Sequence, residues 1–389
     1  MTLRASDVEA PLAASLAGGT RLRLRGLAAR TIARTVDAPA TVLDDRAWLA
    51  AQGDPSSAPT LDARADGNRG AIVEGHGVEH AGRSWLLAVK GVGARAPLYG
   101  DSPAGFAFEH DLDLGAALDA RPLLSAVTRE SWMGEAPYGG QGLEGALHAL
   151  SLSQPALREA LAPCVLCPTI AVVEIPEEEI RDVFHYRRHR GPVVQEHRLV
   201  PSAVRLFHQS ALALGRDCEG TLAALGVETL AALEPFIDRF LASALALLTV
   251  GARSARVRGS ALEMLDYDDA WLDKDAFVSP DGALAFADLE ALVWTEVPDE
   301  AALGARIRRQ MERNAYEVLY GLDALLRTEE RWRERPRHQS ERRGALATRT
   351  ELATISDPTL EVVRSTEGCD LVITPRVGKP LILRWIDVR

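Results

Sequence analysis

Cysteine is scarce. Cys164, Cys167, Cys218 and Cys369 are the four in 389 residues, too few to frame a disulfide-held fold. Cys164-Val-Leu-Cys167 has the spacing of half a zinc site, but no second Cys or His pair stands at matching spacing. Its apolar flanks make these two small core residues. Aromatic residues are only 5% of the chain, so the core is mainly aliphatic. No apolar run approaches the ~20 residues of a membrane-crossing helix. No secretory leader is visible: the first thirty residues carry Asp7, Glu9 and five arginines and have no continuous apolar stretch. The expectation is a cytoplasmic protein without a membrane partner. Positive charge is also in deficit, with a formal net charge of −11. That argues against a nucleic-acid partner, since phosphate backbones need clustered cations. Only a handful of the basic residues are lysine, so Lys90 stands out in its surroundings.

What is present is an ordinary globular balance, 47% hydrophobic and 25% charged. Residues 1–70 read as an N-terminal extension, with alternation at Arg21-Leu-Arg-Leu-Arg25, a helix-like stretch over 44–51 and a loop-like stretch over 52–69. Residues 71–200 read as a β-rich lobe. Ala71-Ile-Val-Glu74 and Trp85–Lys90 flank Gly75–Gly82 and predict an antiparallel hairpin. His76 and His80 then fall in its connection as solvated turn residues. Helices are predicted at 143–150 and 154–162, and strands at 167–175 and 193–199. The basic, aromatic cluster Phe184–Gly191 between those strands suits either phosphates or a solvated hairpin tip.

Residues 201–334 read as a helical lobe. Apolar residues recur at three and four spacings over 228–250. A loop is expected over 255–295, interrupted by one hairpin. Ala276-Phe-Val278, the turn Ser279-Pro-Asp-Gly282 and Ala283–Ala287 predict a second hairpin, and a long helix spans about 299–334. Residues 335–389 read as a polar linker and then three strand-like runs. This order predicts an α+β, two-lobed, protein-kinase-like fold with a β-rich C-terminal extension.

The chemistry-bearing residues fit a Mg-ATP site. Nucleotide phosphates need positive charge on a rigid element, and Lys90 ends a strand just before Gly91-Val-Gly93. A lysine so used needs a carboxylate on a helix to hold it. Glu144 is the choice, with Glu130 and Glu135 as competitors. Asp288 comes directly after the apolar run Ala285-Phe-Ala287, well placed to leave a buried strand and meet Mg²⁺. Asp275 stands thirteen residues upstream as a second oxygen ligand. Asp268 and Asp269 lie where a catalytic-loop aspartate would fall. A turn with an acidic, solvated flank accounts for the same residues equally well. Arg198 and Arg205, seven apart around Pro201-Ser202, can converge on a polyphosphate, because guanidinium forks suit phosphate oxygens. The His-Arg-Asp motif and a glycine-rich loop of the form G-x-G-x-x-G are both missing.

Three of these segments resemble selenoprotein O-like proteins. Trp85-Leu-Leu-Ala-Val-Lys-Gly-Val-Gly93 is similar to the family's strand-Lys-Gly-x-Gly segment, and Gly145–Leu150 to its next helix. Arg198-Leu-Val-Pro-Ser-Ala-Val-Arg205-Leu-Phe-His208 is similar to its Arg-x-Ala-Pro-Ser-x-x-Arg motif. The resemblance covers about residues 83–295, discontinuously. It implies a kinase-like fold, ATP bound in an inverted orientation, and AMP transfer to protein hydroxyls. It also implies phosphate contacts for Arg198 and Arg205, with Lys90 as a third cation. The family's His-Gly-x-x-Asn-x-Asp-Asn loop is absent; Arg258-Gly-Ser260 and Asp266–Asp269 stand in loosely. The expectation is therefore AMP or phosphoryl transfer to a hydroxyl of a protein, peptide or small molecule. Asp269, Lys90 and Glu144 would be the catalytic residues. Lys90, Gly91, Gly93, Arg198 and Arg205 would bind the nucleotide, and Asp275 and Asp288 the metal. A pseudoenzyme that binds nucleotide without turnover is the alternative.

Overall fold

The computed structural model describes residues 21–40, 43, 45–50, 59–66, 70–92, 141–161, 165–176, 192–206, 217–267, 275–334, 359–365, 368–374 and 381–386. The chain divides into two compact units. The first holds residues 1–155, 167–203 and 209–211, and the second holds 156–166, 204–208 and 212–389.

The first unit is built on one nine-stranded sheet, in which every pairing is antiparallel. Its strands are β1 (Arg21–Ala28), β2 (Arg30–Arg34), β3 (Arg46–Ala50), β4 (Thr60–Asp66), β5 (Gly70–His80), β6 (Arg83–Lys90), β7 (Gln141–Gly142), β9 (Thr169–Glu174) and β10 (Val193–Val200). The order is β2-β9-β10-β6-β5-β4-β1-β3, with β7 on β10. Only Ala29 separates β1 from β2, yet β1 pairs with β4 and β3 while β2 pairs with β9. One bent segment thus joins both ends of the sheet, which must roll up on itself. The side chains confirm the closure. Gln195 of β10 donates to the Trp48 carbonyl of β3 at 2.9 Å and accepts from its amide at 2.8 Å. Leu27, Ala47, Leu49, Val173 and Val193 form one apolar cluster inside.

Alternation along β10 assigns its faces. Val193, Gln195 and His197 point inward. Val194, Glu196 and Arg198 point outward, where helix α1 (Leu143–Leu152) lays Ala146 and Leu150 on Val172 and Val194. At its end, Ser153 Oγ accepts from the Thr169 amide at 2.8 Å.

The second unit contains three further sheets among its helices. β13 (Ala276–Val278) and β14 (Leu284–Phe286) form a hairpin that takes β8 (Val165–Leu166) in parallel. β11 (Arg256–Arg258), β12 (Ala261–Tyr267) and β15 (Leu292–Val297) form the second, and β16 (Thr359–Ser365), β17 (Gly368–Thr374) and β18 (Leu381–Ile386) the third. Among the described residues, the helices are α2 (Pro155–Ala160), α3 (Cys218–Ala224), α4 (Leu230–Leu248), α5 (Val250–Ser254) and α6 (Glu300–Glu334). Helix α4 starts at an N-cap, where Thr229 accepts from the Ala232 amide. It buries Leu233, Phe236, Ile237, Phe240 and Leu241 along one stripe.

The expected two-lobed, protein-kinase-like architecture is corrected by these findings. The molecule is mixed α/β, dominated by the large antiparallel sheet, and the chain beyond residue 201 is not a helical lobe. Strands β1, β3 and β4 come from residues read as an extension, and β11, β12 and β15 from residues read largely as loop. The stretch over 44–51 has good helix formers, but pairing with β1 overrides that preference. The connection expected over Gly75–Gly82 is shorter than predicted. β5 runs on to His80, and the turn is Ala81-Gly82, both at positive φ (50° and 71°), as a two-residue hairpin requires.

Candidate functional site

In the first unit, the sequence-predicted cations lie in a row of matched charges. The strand register places Glu196 of β10 opposite Lys90 of β6, Lys90 opposite Gly70 of β5, and Gly70 opposite Asp66 of β4. All share the outer face. Gly70 leaves the room: a Cβ there would lie 2.5 Å from the Asp66 carbonyl oxygen and 3.3 Å from Oδ2 of its carboxylate. Arg198, two residues beyond Glu196, reaches past the small Ala88 to Asp66 at 2.9 Å. The charged residues are buried, with Glu196 0%, Arg198 4% and Lys90 6% exposed. Thr169 Oγ1 donates to Glu196 Oε2 at 3.1 Å. Two cations and two carboxylates make the row neutral, the condition under which buried charge is tolerated.

Glu144, the carboxylate chosen for Lys90, is exposed in the first turn of α1. The carboxylate that the register brings to Lys90 is Glu196. Sequence reasoning passed over Glu196 and Asp66. The available signal was Glu196 and Arg198 at i and i+2, opposite charges on one face of a strand. Gly91 adopts φ 101°, and its carbonyl accepts from Gln195 Nε2 at 2.7 Å. A Cβ there would sit 3.1 Å from the Val194 carbonyl oxygen. Glycine is therefore required by the backbone itself.

On the inner face, His197 is fully buried, and its Nε2 has no hydrogen-bond partner among the described residues. Desolvation, with a smaller push from Arg34, lowers its pKa to about 3. The imidazole is therefore neutral at pH 7.

In the second unit, the hairpin gathers three further predicted residues. Ser279 accepts from the Gly282 amide at 2.8 Å, and Gly282 sits at φ 94° against the backbone of Phe236. This turn closes one end. At the open end, the Asp275 carbonyl accepts from Ala287 at 2.8 Å, so Asp275 lies opposite the residue before Asp288. The segment 204–206 runs antiparallel beside β13, with Leu206 donating to Ala276 and Val278 donating to Val204, both at 2.8 Å. This places Arg205 over the Phe277 ring, 4.4 Å from its centroid. Asp275 and Arg205 are buried, and Asp288 is half-buried. Mg²⁺ in nucleotide sites needs only one or two carboxylates, the rest of its shell coming from phosphates and water. Asp275 and Asp288 are the two carboxylates at this end of the hairpin. Among the described residues, no group of three or more His, Cys, Asp or Glu is placed to hold a metal alone.

His76 and His80 belong to β5. His80 is buried and lies 3.3 Å from Asp37, and His76 Nδ1 is 2.7 Å from the Glu74 carbonyl oxygen. Cys167 is buried, as expected of a core residue. Gly93, Glu130, Glu135, Cys164, the 184–191 cluster, Asp268 and Asp269 lie outside the described residues. No described helix is long and apolar enough to cross a membrane. No family model matches this chain, and no curated protein matches it.

Proposed function

We propose that this protein binds Mg-ATP and transfers AMP or a phosphoryl group to a hydroxyl of a protein, peptide or small molecule. The observation that carries the reading is the open end of the β13–β14 hairpin, where Asp275 and Asp288 bracket the strand ends beside Arg205. Two carboxylates suit Mg²⁺, and a guanidinium suits phosphate oxygens. In the first unit, Lys90 at the end of β6, next to a glycine at positive φ, is a second feature in favour. The similarity of residues 85–93 and 198–208 to selenoprotein O-like segments adds to it. Chemically, the hydroxyl oxygen would attack phosphorus, pyrophosphate or ADP would leave, and the hydroxyl proton would go to a base. Such catalysis is mainly positioning and charge neutralisation.

The test is thermal stabilisation by Mg-ATP, and then transfer of label from α- or γ-labelled ATP. Stabilisation should disappear in Lys90→Ala and Asp288→Ala. Absence of stabilisation by any nucleotide at millimolar concentration defeats the reading. The missing His-Arg-Asp motif favours a second reading, a nucleotide-binding module without turnover. Stabilisation without label transfer would select it.

A further inference from the structure

We propose that Glu196 and Asp66 are the positioning residues of Lys90, fixing its ammonium group from two sides of the sheet. The inference rests on the proposed function, in which Lys90 meets a nucleotide phosphate. The strand register carries it. Glu196, Lys90, Gly70 and Asp66 occupy one row across β10, β6, β5 and β4, on one face. Directly opposed residues in antiparallel strands bring their Cβ atoms to about 5 Å, within reach for opposite charges. On the other side of Lys90, Gly70 supplies no side chain, so the next group in the row is the Asp66 carboxylate. Both carboxylates are themselves held, Glu196 by Thr169 and Asp66 by Arg198.

Lys90 thus stands in its row between two anchored acids rather than against a helix that could swing. Lys90 would be aimed whether or not nucleotide is present. The exposed Glu144 has no part in this arrangement. Arg198, held by Asp66, is oriented by the same row.

The chain's lysine scarcity makes the test direct. Lys90, Lys274 and Lys379 are the only three lysines, so lysine labelled with ¹³C at Cε gives three NMR signals to titrate. In Glu196→Gln, the titration midpoint of Lys90 should fall by about one unit or more, since a nearby opposite charge shifts a pKa by about 1–3 units. Asp66→Asn should shift it the same way. Glu144→Gln should leave it in place. Mg-ATP affinity should drop about tenfold or more in Glu196→Gln and stay within about twofold in Glu144→Gln. If Glu196→Gln does not fold, Thr169→Val loosens Glu196 and should move the midpoint in the same direction by less. An unmoved Lys90 midpoint in these variants overturns the inference, whatever ATP does. A shifted midpoint in a protein that never binds Mg-ATP leaves the charge row standing and removes the nucleotide reading instead.

Discussion

The outer face of β10 and the helix–strand joints of the second unit bury polar side chains in opposite ways. On β10, charge answers charge: Arg198 is paired with Asp66, and Glu196 stands opposite Lys90. At the joints, one neutral side chain answers the backbone. Ser243 Oγ of α4 accepts from the Leu284 amide of β14 at 2.7 Å and returns a hydrogen bond to the Arg239 carbonyl. Gln310 of α6 accepts from the Gly251 amide at 3.0 Å and donates to the Leu265 carbonyl. The difference lies in what a second mutation can repair. A side-chain partner can be removed along with its mate, whereas a backbone partner remains.

The largest effect is expected on β10. Arg198→Met strands the Asp66 carboxylate in a buried site and should cost about 3–5 kcal/mol in urea unfolding of the first unit. Adding Asp66→Leu should restore most of that. A double variant as unstable as the single one would break the contrast. Next comes the inner face of the same strand, where burial excludes charge instead of matching it. His197 titrates at about 3 in the fold against 6.5 ordinarily. Between those values the unfolded chain binds a proton that the folded chain refuses, so stability is full above pH 6.5 and falls as pH drops. The loss is about 1.4 kcal/mol per unit, or roughly 2 kcal/mol by pH 5. His197→Leu should flatten the curve by that amount, and an unchanged slope would remove His197 as its source. The smallest effect is expected at the joint. Ser243→Ala leaves the Leu284 amide without its acceptor and should cost about 1–2 kcal/mol. No side-chain substitution opposite it should recover the loss, and a recovering variant would blur the distinction.

The legible parts of the fold were those whose period repeats over many residues. Strands β6, β9 and β10, helices α4 and α6 and the last three strands all announce themselves this way, and the β13–β14 hairpin does so through its Ser279–Gly282 turn. The parts that were missed depend on distant partners. Arg46–Ala50 is a strand because β1 lies beside it. Glycines at 75 and 77 suggested a loop, yet β5 absorbs them through a register shift against β6. Within the candidate site, Lys90, Asp275 and Asp288 were legible as charged residues at strand ends, and Arg198 through its spacing from Arg205 around Pro201-Ser202. Asp66 and Glu196 were not, because their meaning lies in which strand faces which. Asp66 precedes Arg198 by 132 residues, and no local pattern joins them.

The single residue between β1 and β2 also governs when the first unit can be completed. Arg30 bonds to Glu174, 144 residues later in the chain. On a ribosome making about 5–20 residues per second, that gap is roughly 7–30 s. Until then the emerged N-terminal segment carries a strand with nothing to zip to. The seam is therefore a late event in biosynthesis.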